Sequence, residues 1–206
     1  MESYFLSPIY GSLRNDLRPN GIYRQTSNSS CAAAALATLL RDWQVPQVSE
    51  SSVAKYAQTS RLGTTMPQVI AAAQKFGFDG VELKLTWEQL LQINRPGLLA
   101  VWGDPKRRRD PHAMVLMAMD RTRAIVADPA VGRFLTYGPA QFDRLWRREF
   151  VPIVRQGELD LSGNGLKALY ASSQSKRGEP TLEIEAFNDR QVRRMGCERS
   201  PDRCPW

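Results

Sequence analysis

A chain of 206 residues with 42% apolar side chains, 24% charged ones and five tryptophans can build one domain with a real core plus an appendage, and is too short to promise two full domains. No stretch approaches the roughly 18 consecutive apolar residues of a membrane span, and the start MESYFLSPIYGS lacks the charged head and apolar run of a secretory signal, so the compartment stays open. The formal charge is +7, and all of the excess sits in residues 1–155, with 20 Lys and Arg against 13 Asp and Glu, whereas residues 156–206 hold 8 against 8.

The first thirty residues are rich in Asn, Ser, Gly and Pro and lack a sustained period. They read as an N-terminal arm (1–19) running into a loop. Helical order is expected from Cys31. In CAAAALATLLRDW, Leu36, Leu39, Leu40 and Trp43 fall at i, i+3, i+4 and i+7, and Ser29 or Ser30 can cap the start. A second helix is expected after Ser49, and a third from Pro67 to Gly77 with Met66, Val69, Ile70, Ala73 and Phe76 on one face. Thr86 and Gln89 form a capping-box pattern for a fourth.

From Gly97 the texture changes to short aliphatic runs separated by turn residues: GLLAVWG, HAMVLMAM, RAIVAD and RFLTY, then a helix at PAQFDRLW and a last strand at EFVPIV. Helices first and strands afterwards predict an α+β domain of N-terminal helices packed on an antiparallel sheet. Residues 20–155 are assigned to this domain and 156–206 to a polar C-terminal extension with one strand at LEIEAF.

The densest basic run, Lys106, Arg107, Arg108 and Arg109, reads as a solvated hairpin loop. No recognition signature or interleaved aromatic residues accompany it, so nucleic acid is not the expected partner. One His and three Cys give no second ligand pair at finger or ribbon spacing, and neither a metal nor another cofactor is expected. Cys197 and Cys204 enclose six residues in the polar tail and can close a small disulfide under oxidising conditions.

Cys31 differs from them in opening an apolar helix. There, unpaired backbone N–H groups and the helix dipole favour thiolate over thiol. His112, the only histidine, begins the strand HAMVLMAM. If that strand and RAIVAD pair as a hairpin centred on Asp120, His112 lies opposite Asp128, which can then fix its tautomer. Gln25, six residues before Cys31, can supply a side-chain N–H beside the Cys31 backbone N–H as an oxyanion hole. Gln25, Cys31, His112 and Asp128 together read as donor, nucleophile, base and orienting carboxylate.

QTSNSSCAAAALATLL, followed by PHAMVLMAMDRTRAIVADPAVGRFL, resembles the bacteriocin-processing, or double-glycine, cysteine peptidase family over about residues 20–152. The spacings Gln25 to Cys31 and His112 to Asp128, and the Asp128, Pro129 and Gly132 turn, carry the likeness. The resemblance implies a papain-like fold and peptide-bond cleavage, commonly removal of a leader ending in two glycines from an exported peptide. A peptide or protein substrate follows, and an ABC-type exporter or other secretion machinery as partner. Ala32 and Ala33 stand where that family usually has Gly then Pro, so the Ala32 methyl is expected to border the cleft. No GxxxxGK[ST] motif is present, which excludes a whole exporter. The competing reading is a catalytically idle peptidase-like domain that binds peptides for secretion.

Overall fold

Alanine is the strongest helix former, and the run after Cys31 becomes the central helix of the molecule, α1 (Cys31–Asp42). The computed structural model describes residues 6–158, Leu169 and 182–195. Ala33 to Ala37, Leu39 and Leu40 have no solvent exposure, so the helix is buried nearly all round. Thr38, its polar exception, donates to Ala34 O (2.8 Å) and accepts the Tyr23 N–H (2.9 Å), tying α1 to β2 (Tyr23–Arg24), which pairs with β1 (Asp16–Leu17). Ser30 precedes the helix but does not cap it. Its hydroxyl instead closes the preceding turn, donating to Ser27 O (2.9 Å) and accepting the Ser27 N–H (3.1 Å).

Helices α2 (Glu50–Tyr56), α3 (Met66–Gln74) and α4 (Trp87–Ile93) each start with a capping box, on Ser49 with Ser52, Thr65 with Gln68, and Thr86 with Gln89. Strands β3 (Phe78–Gly80) and β4 (Leu83–Lys84) follow α3, and then come β5 (Gly97–Asp104), β6 (Arg109–Met119), β7 (Ala124–Asp128) and β8 (Arg133–Tyr137). Helix α5 (Pro139–Leu145) leads into β9 (Trp146–Arg155). These strands form one antiparallel sheet in the order β3-β9-β5-β6-β7-β8, with β4 also on β9.

The sheet is covered on both faces. Leu98, Ala113, Val115 and Val151 meet α1 to α3, whereas Leu99, Val101, Met114, Leu116 and Phe150 meet α4 and α5 through Leu90, Ile93 and Phe142. This double burial explains why HAMVLMAM is apolar throughout instead of alternating. Gly97 sits where β5 and β9 approach closely. A Cβ there would collide with Val151 O and the Phe150 ring.

LEIEAF is not a strand. Residues Ile184–Met195 form helix α6, with Phe187 buried edge-on against Phe134 (5.1 Å between centroids) and Gln191 buried one turn on. Three apolar residues in alternation, Leu182, Ile184 and Ala186, do not separate strand from helix, and the helical spacing shows only when NDRQVRRM is included. Cys197 and Cys204 lie outside the described residues.

Candidate active site

Cys31 occupies the first turn of α1, and its own backbone N–H has no backbone acceptor among the described residues. This is the orphan donor that the start of a helix leaves. The loop ahead of it is fastened at two points. Gln25 N–H donates to Pro129 O (2.9 Å) in the turn after β7, and Thr26 gives both its N–H (2.8 Å) and its hydroxyl (2.7 Å) to the carboxylate of Glu50, which is wholly buried at the start of α2. The Gln25 amide stands inside the cleft wall, with Nε2 donating to Ser27 O (2.9 Å) and Oε1 buried without a partner.

His112 arrives on β6 and Asp128 ends β7, with His112 Nε2 2.8 Å from Asp128 Oδ1. They are not directly opposed, as a hairpin centred on Asp120 would have them. The turn is closed by Asp120 N–H donating to Arg123 O (2.9 Å), and a bulge at Met117 shifts the register, so that Val115 pairs with Ala127. Asp128 therefore comes level with Met114, two residues from His112. A shift of two keeps the side chains on one face, and the diagonal pair is within reach of an imidazole. The bulge leaves its own trace, since Met117 and Ala118 are successive residues of the same core.

The electrostatics form a relay of three groups. Burial of the Cys31 thiol works against ionisation, but the His112 hydrogen bond and positive charge, with backbone N–H groups of Ala113 and Ala32, outweigh it and lower its pKa. Burial also opposes charge on His112, yet hydrogen bonds to Asp128 and Cys31 and the charges of both raise its pKa to about 9. Both shifts favour the thiolate–imidazolium form of the pair. The Tyr137 phenol is raised as well, by burial and then by the Asp128 charge. Asp110 forms no hydrogen bond or ion pair with the ring among the described residues; Asp128 holds it.

Gln25, Cys31, His112 and Asp128 all line one cleft of about 1030 Å3. A second recess of about 380 Å3 adjoins the thiol on its other side, bordered by Ala32, Met66, Pro67, Ala100 and Ala113. Ala32 borders this second recess and does not line the larger cleft. Trp102, Tyr137 and Arg144 also line the larger cleft. Nothing in the sequence marks them, because each belongs to a different strand or helix and enters through tertiary packing alone. Glu50 was equally invisible, an acidic residue after a cap like many others. Among the described residues no group of three or more His, Cys, Asp or Glu side chains could hold a metal ion.

Residues 20–157 match the Peptidase C39 family. An uncharacterized protein of Methanothermobacter thermautotrophicus is 33% identical over 135 residues, covering 65% of this chain and 88% of its own length. The fold matches that of the peptidase domain of Streptococcus ComA, a bi-functional ABC transporter involved in quorum sensing (TM-score 0.59, 20% identity, 66% of this chain and 99% of that one). It also matches a double glycine motif protease from an AMS/PCAT transporter, solved with its leader peptide (TM-score 0.54, 22% identity, 69% of this chain and 94% of that one). Helices on an antiparallel sheet, in the papain-like arrangement of those domains, carry a match that spans two thirds of the sequence, and on it the chain belongs to the peptidase C39 family.

Proposed function

We propose that this chain is an active cysteine endopeptidase that processes a leader or precursor peptide after small residues. The observation that carries the reading is the Cys31–His112–Asp128 relay, in which Asp128 holds the imidazole at 2.8 Å and His112 lowers the Cys31 thiol pKa. The Cys31 thiolate attacks the scissile carbonyl. The oxyanion that forms is met by the Cys31 N–H and the second N–H of the Gln25 amide, since the first is held by Ser27 O. The C–N bond then breaks as His112 gives its proton to the leaving amine, and the acyl group stays on sulfur as a thioester. His112, now neutral, takes a proton from water, which attacks the thioester and releases the acid and the thiolate. Asp128 holds the ring in place throughout.

The recess beside the thiol measures about 380 Å3 and is bordered by Ala32, Ala100 and Ala113 together with Met66 and Pro67, and small residues are the first to test in it. Leaders ending in paired glycines are the first substrates to offer, given the transporter-borne domains of the same fold, and a secretion system is the fitting partner. The test is cleavage of synthetic peptides containing paired glycines or alanines, with Cys31→Ala as control. Thiol-dependent cleavage at the paired residues is expected. Binding without cleavage by the parent protein would instead identify an idle peptide-binding domain.

A further inference from the structure

The cleft is electrostatically lopsided. At one end the tip of the β5–β6 hairpin overhangs it, with Trp102, Pro105 and Lys106 in its wall. Trp102 and Arg144 line both the cleft and an adjoining recess of about 320 Å3 that also takes in Arg108 and Trp146. Apart from Asp110, which lines the cleft, the carboxylates of this region are already engaged. Asp143 holds Arg148 (2.6 Å), and Glu149 holds Arg147 (3.3 Å), which itself lies 4.7 Å over the Trp102 ring. Asp104 spends one oxygen on the turn, accepting the N–H groups of Lys106 (3.1 Å) and Arg107 (3.2 Å). Lys106, Arg108 and Arg144 are exposed, and none pairs with a carboxylate among the described residues. The second recess beside Cys31 carries the carboxylate of Glu82, and its Glu149 is paired with Arg147, which lines the same recess.

From this we infer that the hairpin tip and α5 form a docking rim for an acidic stretch of the substrate peptide, on one side of the scissile bond. The inference rests on the peptidase reading and adds to it a substrate charge. A segment leaving the cleft at this end passes Trp102 and meets three unneutralised cations, whereas acidic residues directed the other way meet Glu82. A peptide is favoured over a nucleic acid or an anionic bilayer because Lys106 and Arg144 line the catalytic cleft itself and Arg108 lines the recess adjoining it. The hairpin is also held in place, since a Cβ on Gly103 would stand 2.9 Å from Asp110 O, so the two strands are in close contact at its base.

The test uses the full chain with Cys31→Ala and three labelled peptides that share one central sequence of paired small residues. One carries a glutamate run before that centre, one a glutamate run after it, and one glutamines. Fluorescence anisotropy at low salt should show one acidic peptide bound about tenfold more tightly than the glutamine peptide, as three solvent-exposed charge pairs would provide. High salt should erase the difference, as should Lys106→Gln, Arg108→Gln and Arg144→Gln combined. Equal binding of all three peptides, or a preference that survives the triple variant, overturns the docking rim. Should that variant fail to fold, the charge-swapped Lys106→Glu with Arg144→Glu must reverse the preference toward a lysine-flanked peptide, and an unaltered order overturns it. Tighter binding of an oligonucleotide or of phosphatidylglycerol vesicles through these residues also overturns it. Cleavage by the parent protein is measured in parallel. Cleavage without charge preference sinks the rim alone, and charge preference without cleavage sinks the peptidase reading alone.

Discussion

His112 Nε2 and Asp128 Oδ1 lie 2.8 Å apart, and the same carboxylate oxygen accepts the Ala130 N–H at 2.8 Å. The backbone contact fixes the carboxylate independently of the ring, so Asp128 is an anchor for the imidazole and not a group the imidazole drags with it. Asp128→Asn should retain the fold, because an amide oxygen can still accept from Ala130, but it withdraws the charge that sustains the imidazolium. Turnover should fall on the order of a hundredfold or more. Peptide cleavage and thermal melting on the same preparation check this, and unchanged turnover would remove Asp128 from the relay.

The two shifted pKa values predict different pH profiles for two reactions of one thiol. Alkylation of Cys31 by iodoacetamide needs only thiolate. Its rate should already be high well below about 8.5, the ordinary thiol value, because the Cys31 pKa is lowered, and it should not decline at alkaline pH. Cleavage also needs the imidazolium as proton donor, so it should fall as pH rises through about 9, where His112 loses its proton. In His112→Ala the alkylation profile should move up, since burial alone disfavours the thiolate. Measurement calls for Cys197→Ser and Cys204→Ser in the background. Coincident alkaline limbs for the two reactions would sink the ion-pair assignment.

Glu50 predicts a positioning effect from a residue that does not line the catalytic cleft. Its carboxylate is the sole side-chain acceptor for the Thr26 N–H and hydroxyl, one residue from Gln25. Glu50→Ala leaves those donors unpartnered, with a stability loss of about 1–3 kcal/mol, and loosens the loop that carries the oxyanion donor. Turnover should drop more than the Michaelis constant rises, and Glu50→Gln should recover part of both. A melting shift with no change in turnover would make Glu50 a structural residue only.

Much of this was legible beforehand because the relevant signals are local. Capping boxes at Thr86 and the helix after Cys31 depend on residues a few positions apart, and the four site residues sit at ends of elements that the periodicity delimits. The pairing of His112 with Asp128 was reached through a register two residues off. It survived because an even shift preserves the face, while the Met117 bulge that sets the true register has no mark in a uniformly apolar strand. Trp102, Tyr137 and Glu50 were not legible, since their roles exist only once β5, β8 and α2 are packed around the cleft. From sequence either Ser29 or Ser30 can cap the helix start, but the turn at Ser27 takes the Ser30 hydroxyl, a choice that short polar side chains settle by local geometry.

Gln25 separates chemistry from binding. One hydrogen of its Nε2 is committed to Ser27 O at 2.9 Å, and its backbone N–H to Pro129 O, so the side chain is already oriented before substrate arrives. Its remaining N–H has work only when a carbonyl oxygen turns negative, which makes its contribution larger in the transition state than in the ground state. Loss of one such donor typically costs on the order of a hundred- to a thousandfold in turnover. Gln25→Ala should show that loss in cleavage while peptide affinity and the Cys31 alkylation profile stay close to those of the parent, because neither involves an oxyanion. Gln25→Glu should be worse than Ala, since a carboxylate there would face both the Ser27 carbonyl and the developing negative charge. Cleavage, anisotropy and alkylation measured on both variants decide the matter. Parallel losses in all three would mean that Gln25 holds the loop together through Ser27 and Pro129, and that the oxyanion is stabilised by the helix start alone.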